Sequence, residues 1–357
     1  MGKRMKKRKK VTLADVAERA GVSSTMVSYV LRSGEHGKPA TRQKILTAVK
    51  ELGYRVDYAA RALRYGRNRT VGLVLPALRG YLYELMCALD LSFRKLDYTL
   101  ICSFFARGTG SRESFVEAVE RMYSMNVDAV ITPTYLDVPR STIPVIIWGN
   151  DRPDYDCVFP DKYAFGVDVI ERLWSLGHRR IGIAGLGIPG KSTTRAPEAR
   201  YLGMQAALEN HGVFDPVWQA ETGTGQENGE TTLEYFLSLP EMPTVIVCHS
   251  DELAIGVMRA ASLRGIRIPE QLSIVGFDHL PIASAMAPSL ATYDQHFSRM
   301  AELLAEVTIN RINDPALPLQ KRSVPVGFIP GESLAFPRRT AFPLFSQAAA
   351  MAETATG

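Results

Sequence analysis

The chain has 357 residues, of which 46% are hydrophobic and 22% are charged, and its formal net charge is +5. This balance is typical of a globular chain long enough for two or three domains. No run of about 18 apolar residues is present, so the sequence predicts no transmembrane helix. The basic start MGKRMKKRKK is not followed by the apolar run of a signal peptide, and we expect a cytoplasmic protein.

Positive charge is concentrated at the start of the chain. Residues 1–70 contain 18 basic and 5 acidic residues, a net charge of +13, whereas the remainder contains 24 basic and 32 acidic residues, a net charge of −8. A basic tail over residues 3–10 explains only part of this excess. Such asymmetry predicts a nucleic acid or another anionic surface as the partner of the first segment.

The first 54 residues predict a helix-turn-helix. Thr12 is a suitable N-cap for a helix over 13–20, Gly21 ends that helix, and Ser23 precedes a second helix that reaches about residue 31. A third helix over 41–52 closes a small core. The exposed face of the second helix carries mostly small polar side chains, at Ser24, Thr25, Ser28 and Tyr29.

Beyond residue 70, apolar runs alternate with amphipathic stretches. The runs lie at 71–75, 99–103, 129–132, 145–148, 181–184, 245–248 and 273–277. This spacing predicts an α/β fold with parallel sheets built from repeated strand-helix-strand units. In such sheets ligands bind beyond the carboxyl ends of the strands, so residues just after each strand are candidates for a binding site.

The segment GLGIPGKS, residues 185–192, fits the phosphate-binding pattern G-x-x-x-x-G-K-[ST] and also contains G-x-G-x-x-G. It raises the hypotheses of ATP and of dinucleotide binding. Pro197 falls where the helix of a P-loop should already run, and "SIVGFD" fits a Walker-B strand only loosely. For a dinucleotide, the acidic residue about twenty positions on would be Glu209, inside an amphipathic helix. Both hypotheses are weak.

No catalytic or metal-binding constellation emerges from the order of the residues. The six histidines are scattered, and the four cysteines form no C-x-x-C pair: Cys87, Cys102, Cys157 and Cys248. That spacing argues against a zinc site and against a disulfide framework. We therefore predict reduced thiols in or near the core, no catalytic residue, no metal and no cofactor.

Several longer stretches together resemble the LacI family of bacterial transcription regulators. They are "VTLADVAERAGVSSTMVSYVL", "TRQKILTAVKELGY", "AARAL", "TVGLVLP", "GHRRIGIAG", "RYLGMQAAL" and "SDELAIGVMRAASLRGIRIPEQLSIVGFD". The resemblance implies an N-terminal helix-turn-helix headpiece and a two-lobed, periplasmic-binding-protein-like effector domain with parallel sheets. It also implies an effector in the cleft and three chain crossings between the lobes.

The expected boundaries follow the same resemblance. They are a basic tail over 1–10, the DNA-binding domain over 11–56, a hinge helix and linker over 57–69, the effector and dimerisation domain over 70–337, and a disordered tail over 338–357. The first lobe is expected at about 70–158 and 288–319, and the second at about 159–287 and 320–337.

The resemblance implies which residues would contact double-stranded operator DNA. Ser24, Thr25 and Tyr29 would read base edges, and Ser23 and Ser28 would hold phosphates. Relatives often carry arginine or histidine at the position of Tyr29, which leaves the base read there open. In the hinge helix, Leu63 would wedge into the minor groove. The remaining predicted DNA-binding residues are Thr12, Arg61 and Arg64.

The resemblance also implies which residues would contact the effector. Tyr81 and Leu82 would form an apolar wall, Arg200 would hydrogen-bond the effector, and Asp278 ends the strand "SIVGFD". Ser250 stands where relatives often offer asparagine. The remaining candidates are Asp161 and Gln295, near the crossings, and Lys191, which we consider for an anionic group. An arginine and a carboxylate among neutral donors suit a polyol.

The sequence therefore predicts a homodimeric, sequence-specific transcription regulator, most simply a repressor, controlled by a sugar or sugar derivative. A dimer is expected because two headpieces read the two halves of a palindromic operator. The alternatives are a solute-binding protein without DNA regulation and, third, a P-loop ATP-binding enzyme. Whether the effector induces or co-represses stays open.

Overall fold

The computed structural model describes residues 11–33, 38–54, 67–76, 80–106, 111–133, 138–185 and 198–337. Within these ranges, no helix combines the length and the hydropathy that crossing a bilayer requires. The hinge segment 57–66, the terminal tail and most of the GLGIPGKS segment lie outside the described residues.

Three helices form the headpiece: α1 (Leu13–Ala20), α2 (Ser24–Ser33) and α3 (Pro39–Leu52). Thr12 and Asp15 form the predicted capping box, and Gly21 ends α1 in the left-handed conformation with φ of 66°. The core consists of buried apolar side chains from all three helices, among them Val16, Val27 and Ile45. Helix α3 begins two residues earlier than predicted, because Pro39 fits the first turn of a helix.

Strands and helices alternate through the rest of the chain. The first part contains β1 (Thr70–Pro76), α4 (Gly80–Lys95), β2 (Thr99–Phe105), α5 (Ser111–Ser124), β3 (Ala129–Thr132), β4 (Val145–Trp148) and β5 (Asp156–Pro160). Next come α6 (Lys162–Ser175), β6 (Ile181–Gly185), α7 (Ala199–Asn210), β7 (Gln219–Glu221), α8 (Gly229–Leu237), β8 (Val245–Cys248), α9 (Asp251–Leu263) and β9 (Ser273–Val275). The last elements are α10 (Pro281–Ala285), β10 (Thr292–Asp294), α11 (Phe297–Asn313), β11 (Lys321–Val324) and β12 (Gly327–Ile329).

The strands form two parallel sheets and one ribbon. The six-stranded sheet of the first lobe has the order β11-β5-β4-β3-β1-β2, and the four-stranded sheet of the second lobe has the order β7-β6-β8-β9. All pairs within these two sheets are parallel, whereas β10 and β12 form an antiparallel ribbon. The parallel α/β architecture predicted from the strand-helix alternation is confirmed.

The chain crosses between the lobes three times. It leaves the first sheet after β5, returns between β10 and α11, and leaves again between β11 and β12. Two of the expected boundaries differ from the structure. Strand β11 pairs with β5 in the first lobe, and residues 291–294 bond to the second lobe, where Ala291 accepts from Gly276 and Tyr293 from Asp278.

The last helix of the first lobe also holds the chain that comes from the headpiece. Arg67 Nη1 donates to Oδ1 of Asn313 at 2.6 Å, and Nη2 donates to the carbonyl oxygen of Ile312 at 3.3 Å. A guanidinium at the carboxyl end of a helix is electrostatically favourable. The linker is thereby fixed to the far end of α11, whose first residue, Phe297, lies beside the cleft.

Candidate functional site

The headpiece presents the beginning of α2 to solvent. Ser23 Oγ accepts a hydrogen bond of 3.2 Å from the main-chain N–H of Met26, so Ser23 caps α2 as predicted. Val27 and Val30 are buried on one side of the helix. Thr25 and Tyr29 are exposed on the other, with 41% of Tyr29 accessible. Side chains of this kind at the start of an exposed helix are suited to reading base edges.

The headpiece also carries exposed basic residues. Lys38, Arg42 and Lys44 are all exposed. Arg19 instead pairs with Glu51 at 2.5 Å and ties α1 to α3. The predicted residues Arg61, Leu63 and Arg64 lie outside the described residues.

The effector cleft lies where the carboxyl ends of the strands of both lobes meet. Its centre is Asp278, which is only 4% exposed and has φ of 131°. Residues other than glycine rarely adopt that conformation, so the surrounding structure holds this carboxylate in place. Gln295 Nε2 donates to Oδ1 of Asp278, and Oδ2 has no hydrogen-bond partner among the described residues.

Two buried carboxyls share this part of the cleft. Asp251 accepts from Thr292 Oγ1 at 2.5 Å and from the main-chain N–H of Leu280 at 2.7 Å. Burial nevertheless raises the pKa of Asp251 to about 6. Burial and the charge of Asp251 hold the pKa of Asp278 well above its ordinary value. A raised pKa favours protonation, and a protonated carboxyl can both donate and accept hydrogen bonds.

Arg200 is buried beside Asp278 and is held by three contacts. Its Nη1 donates to the carbonyl oxygen of His249 at 2.6 Å, and its Nε lies 3.2 Å from Oε2 of Glu198. The guanidinium carbon lies 4.4 Å from the centre of the Phe277 ring. Neither Nε of Arg200 nor Oε2 of Glu198 has a hydrogen-bond partner among the described residues, so their contact is an ion pair without a hydrogen bond. The guanidinium is thus oriented before a ligand arrives.

The first lobe contributes an aromatic wall. The ring of Tyr81 is stacked on Phe297, with centres 6.4 Å apart, and meets the edge of Trp148 at 6.5 Å. Trp148 ends β4, and its indole N–H is buried without a partner among the described residues. The prediction for Leu82 was wrong in one respect, because this side chain is fully buried in the core of the first lobe and has no surface for a ligand.

The predicted residues Ser250 and Asp161 also stabilise the fold by capping helices. Ser250 Oγ caps α9 by accepting from the N–H of Leu253 at 3.2 Å, and it donates to the carbonyl oxygen of Thr224 at 2.6 Å. Asp161 caps α6 by accepting from the N–H of Ala164 at 3.0 Å. The structure thus brings Tyr81, Arg200, Ser250, Asp278 and Gln295 to one region.

A close approach explains the glycine that ends β6. A Cβ atom on Gly185 would lie 2.0 Å from the hydroxyl oxygen of Tyr201, which is hydrogen-bonded to Nδ1 of His249 at 2.7 Å. Gly185, the first residue of the GLGIPGKS segment, is therefore required for close packing against Tyr201. Lys191 and the remainder of that motif lie outside the described residues. No group of three or more His, Cys, Asp or Glu side chains in the described ranges has a metal-binding arrangement.

Sequence reasoning missed two residues of the cleft. Lys162 begins α6, and its charge interacts with those of Glu198, Arg200 and Asp278. Trp148 is the last residue of β4, a strand that the sequence predicted with the correct bounds. The rule that ligands bind beyond strand ends applies to both residues and could have selected them.

Comparison with known proteins supports both halves of the molecule. Residues 12–57 match the model of bacterial regulatory proteins of the lacI family, and residues 170–334 match a periplasmic binding protein-like domain. The HTH-type transcriptional repressor PurR of Erwinia tasmaniensis is 30% identical over 318 residues, covering 84% of this chain and 90% of that protein. The ribose operon repressor of Haemophilus influenzae is 26% identical, covering 85% and 92%.

A solved structure shows the same fold. The lac repressor dimer bound to operator and the anti-inducer ONPF superposes with a TM-score of 0.74 at 22% identity, covering 92% of this chain and all of that one. The helix-turn-helix, the two-lobed domain and the similarity over more than four fifths of the chain agree with one another. The chain belongs to the LacI family of bacterial DNA-binding transcription regulators.

Proposed function

We propose that this regulator is a repressor whose affinity for operator DNA is controlled by a polyol, a sugar or sugar derivative, bound between the lobes. The buried cluster of Asp278, Gln295 and Arg200 carries this proposal. It offers acceptors and donors that the protein leaves partly unused, and each hydroxyl of a polyol can both donate and accept. The stacked ring of Tyr81 supplies an apolar surface for the face of a sugar ring.

The relatives support the class of ligand. One of them is a ribose operon repressor, and similar folds have been solved as a CelR-cellobiose complex and with bound ribose. Lys191, Asp161 and Ser250 belong to the same proposed site. For DNA, we propose that Arg61 and Arg64 contact phosphates and that Leu63 enters the minor groove. A repressor acts on the chromosome, so we expect the protein in the cytoplasm.

We also propose that two copies bind together through the first lobe. Leu91 is 60% exposed on α4, and Phe104 is 46% exposed on β2, the edge strand of the six-stranded sheet. Large apolar side chains at the edge of a sheet favour a partner. A twofold dimer would present two headpieces to two half-sites.

Fluorescence anisotropy tests the proposal. The probe is the DNA upstream of the gene for this chain, titrated with full-length protein at fixed salt, with sugars, sugar phosphates and Mg-ATP added one at a time. We expect tight binding that a sugar-like compound changes and Mg-ATP does not. A response to Mg-ATP alone would favour the P-loop alternative.

A variant separates specific from general DNA binding. Tyr29→Ala should cost about 1–3 kcal/mol on the specific probe and little on random duplex, because a base contact is lost. Lys44→Ala is the matched control, since loss of a positive charge near DNA weakens binding to both probes by a similar factor. Equal losses on both probes for Tyr29→Ala would contradict its assignment to base reading.

A further inference from the structure

Lys162 stands at the first crossing between the lobes, directly after the last strand of the first lobe. Its Nζ donates to Oδ1 of Asn150 at 3.2 Å, and the side chain is half-buried, so part of it is accessible to a ligand. Its charge interacts with those of Glu198, Arg200 and Asp278. Lys162 therefore belongs to the same cleft as the polar cluster.

The carboxyls nearest to Lys162 have other partners. Glu198 is paired with Arg200 at 3.2 Å. Asp278 accepts a hydrogen bond from Gln295, and burial and the nearby Asp251 raise its pKa. No carboxylate of the described residues forms a salt bridge with Lys162 Nζ. One positive charge in the cleft is thus left without an opposite charge dedicated to it.

The lowered pKa of Lys162 is consistent with a positive charge that has no carboxylate partner of its own. Burial lowers the pKa of Lys162 to about 8, although Glu198 and Asp278 act in the opposite direction. The surroundings as a whole therefore disfavour the ammonium, because it has lost hydration that the two carboxyls do not replace. A bound anion would supply the missing compensation.

From this arrangement we propose that the effector is a polyol carrying an anionic group, and that Lys162 Nζ and the Arg200 guanidinium bind that group. The inference rests on the proposed function, because it concerns the ligand of the same cleft. Arg200 Nε is buried without a hydrogen-bond partner among the described residues, so the guanidinium keeps unused donor capacity. An ammonium beside a guanidinium suits a carboxylate or a phosphate group.

Calorimetric titration of the full-length protein tests the inference. The compounds are D-glucose, D-gluconate, D-glucose 6-phosphate, D-ribose, D-ribose 5-phosphate and inorganic phosphate. Lys162→Met removes the charge and keeps the aliphatic stem, whereas Lys162→Arg keeps the charge. Lys95→Met, at an exposed position in the last turn of α4, is the matched control. Circular dichroism of each variant checks that it is folded.

We expect an anionic sugar to bind more tightly than its neutral counterpart and than phosphate alone. Lys162→Met should raise the Kd of that sugar by about 10- to 100-fold, since a charge-assisted hydrogen bond is lost. Lys162→Arg should restore much of the affinity, and Lys95→Met should leave it unchanged. Added salt should weaken the anionic sugar more than the neutral one.

Three outcomes would overturn the inference. The first is a neutral sugar that binds wild type and Lys162→Met equally and shifts DNA binding, which leaves the proposed regulator intact. The second is inorganic phosphate that binds as tightly as any sugar phosphate. The third is binding of no compound in the panel. In every case, the fluorescence anisotropy titration with operator DNA tests the proposed regulation independently of these outcomes.

Discussion

The main-chain N–H of Gly80, in the first lobe, donates a hydrogen bond of 3.0 Å to Oε1 of Glu252, in the second lobe. Gly80 begins α4, so the carboxylate lies at the positive end of a helix of 16 residues. A Cβ on Gly80 would lie 3.1 Å from Cδ1 of Leu280, so the second lobe approaches closely here. The contact joins the lobes immediately before Tyr81.

Glu252→Gln should weaken this contact between the lobes. The amide keeps an oxygen acceptor but loses the charge that interacts with the helix end, at a cost of about 0.5–1 kcal/mol. Urea unfolding of the full-length protein measures the difference in free energy. Glu306→Gln is the control, because Glu306 is exposed on α11. Equal stabilities of the two variants would contradict a role for Glu252 in holding the lobes together.

Variants at Thr12 separate helix capping from contact with DNA. Thr12 Oγ1 accepts from the N–H of Asp15 at 3.3 Å, and Thr12→Ala should cost about 1 kcal/mol of headpiece stability. Thr12→Asn should retain the cap and the affinity for DNA. If Thr12 lies near a phosphate, Thr12→Asp should lose DNA affinity through charge repulsion. Hydrogen exchange of α1 and DNA anisotropy measure the two effects, and DNA affinity unchanged in Thr12→Asp would rule out phosphate proximity.

Asp278→Asn should stabilise the protein and impair effector binding. The pKa of Asp278 is raised on folding, so its contribution to stability is fully present below the pKa of an unfolded aspartate, about 4, and is lost as the pH rises through the folded-state pKa. Asparagine avoids a buried charge while keeping the oxygen that accepts from Gln295. We expect a gain of at least about 1 kcal/mol at pH 8 that diminishes toward pH 5. Urea unfolding at several pH values tests this, and a variant less stable than wild type at pH 8 would contradict it.

Leu91→Glu should dissociate the dimer. A charge on the exposed face of α4 would have to be buried against the second copy, which costs more than leaving it in water. Sedimentation velocity over a range of protein concentrations measures the shift toward monomer. Leu319→Glu alters a comparably exposed leucine elsewhere, with 49% accessible, and should leave the dimer intact. A monomer fraction equal in both variants would place the interface on another surface.

Buried strands inside the sheets could be predicted from the sequence. The strands at 129–132, 145–148 and 245–248 have the predicted bounds, because each is a continuous apolar run between two buried neighbours. Strand β11 could not be predicted in the same way. Its sequence KRSV is half-exposed at the sheet edge, and it forms only because β5 offers free hydrogen-bonding groups from a distant part of the chain.

The site was predicted as a set of positions and not as a set of interactions. Arg200 and Asp278 were predicted because they stand in stretches that resemble the family, and in the structure their charges interact. Leu82 was misassigned because a helix turns successive residues by about 100°, so its neighbour Tyr81 alone faces the cleft. The strand-end rule could have selected Lys162 as a position, but its interactions with Glu198, Arg200 and Asp278 depend on folding.

Helix α11 connects the aromatic wall of the cleft to the linker. It begins beside the Tyr81 ring and ends at Asn313, where it holds Arg67, and its 17 residues span about 25 Å. Because a helix bends little, a tilt of about 10° at one end displaces the other by roughly 4 Å over that length. A tilt of that size at Phe297 would therefore move Arg67, near the end of the linker, by a few ångströms, a distance comparable to the step between neighbouring base pairs.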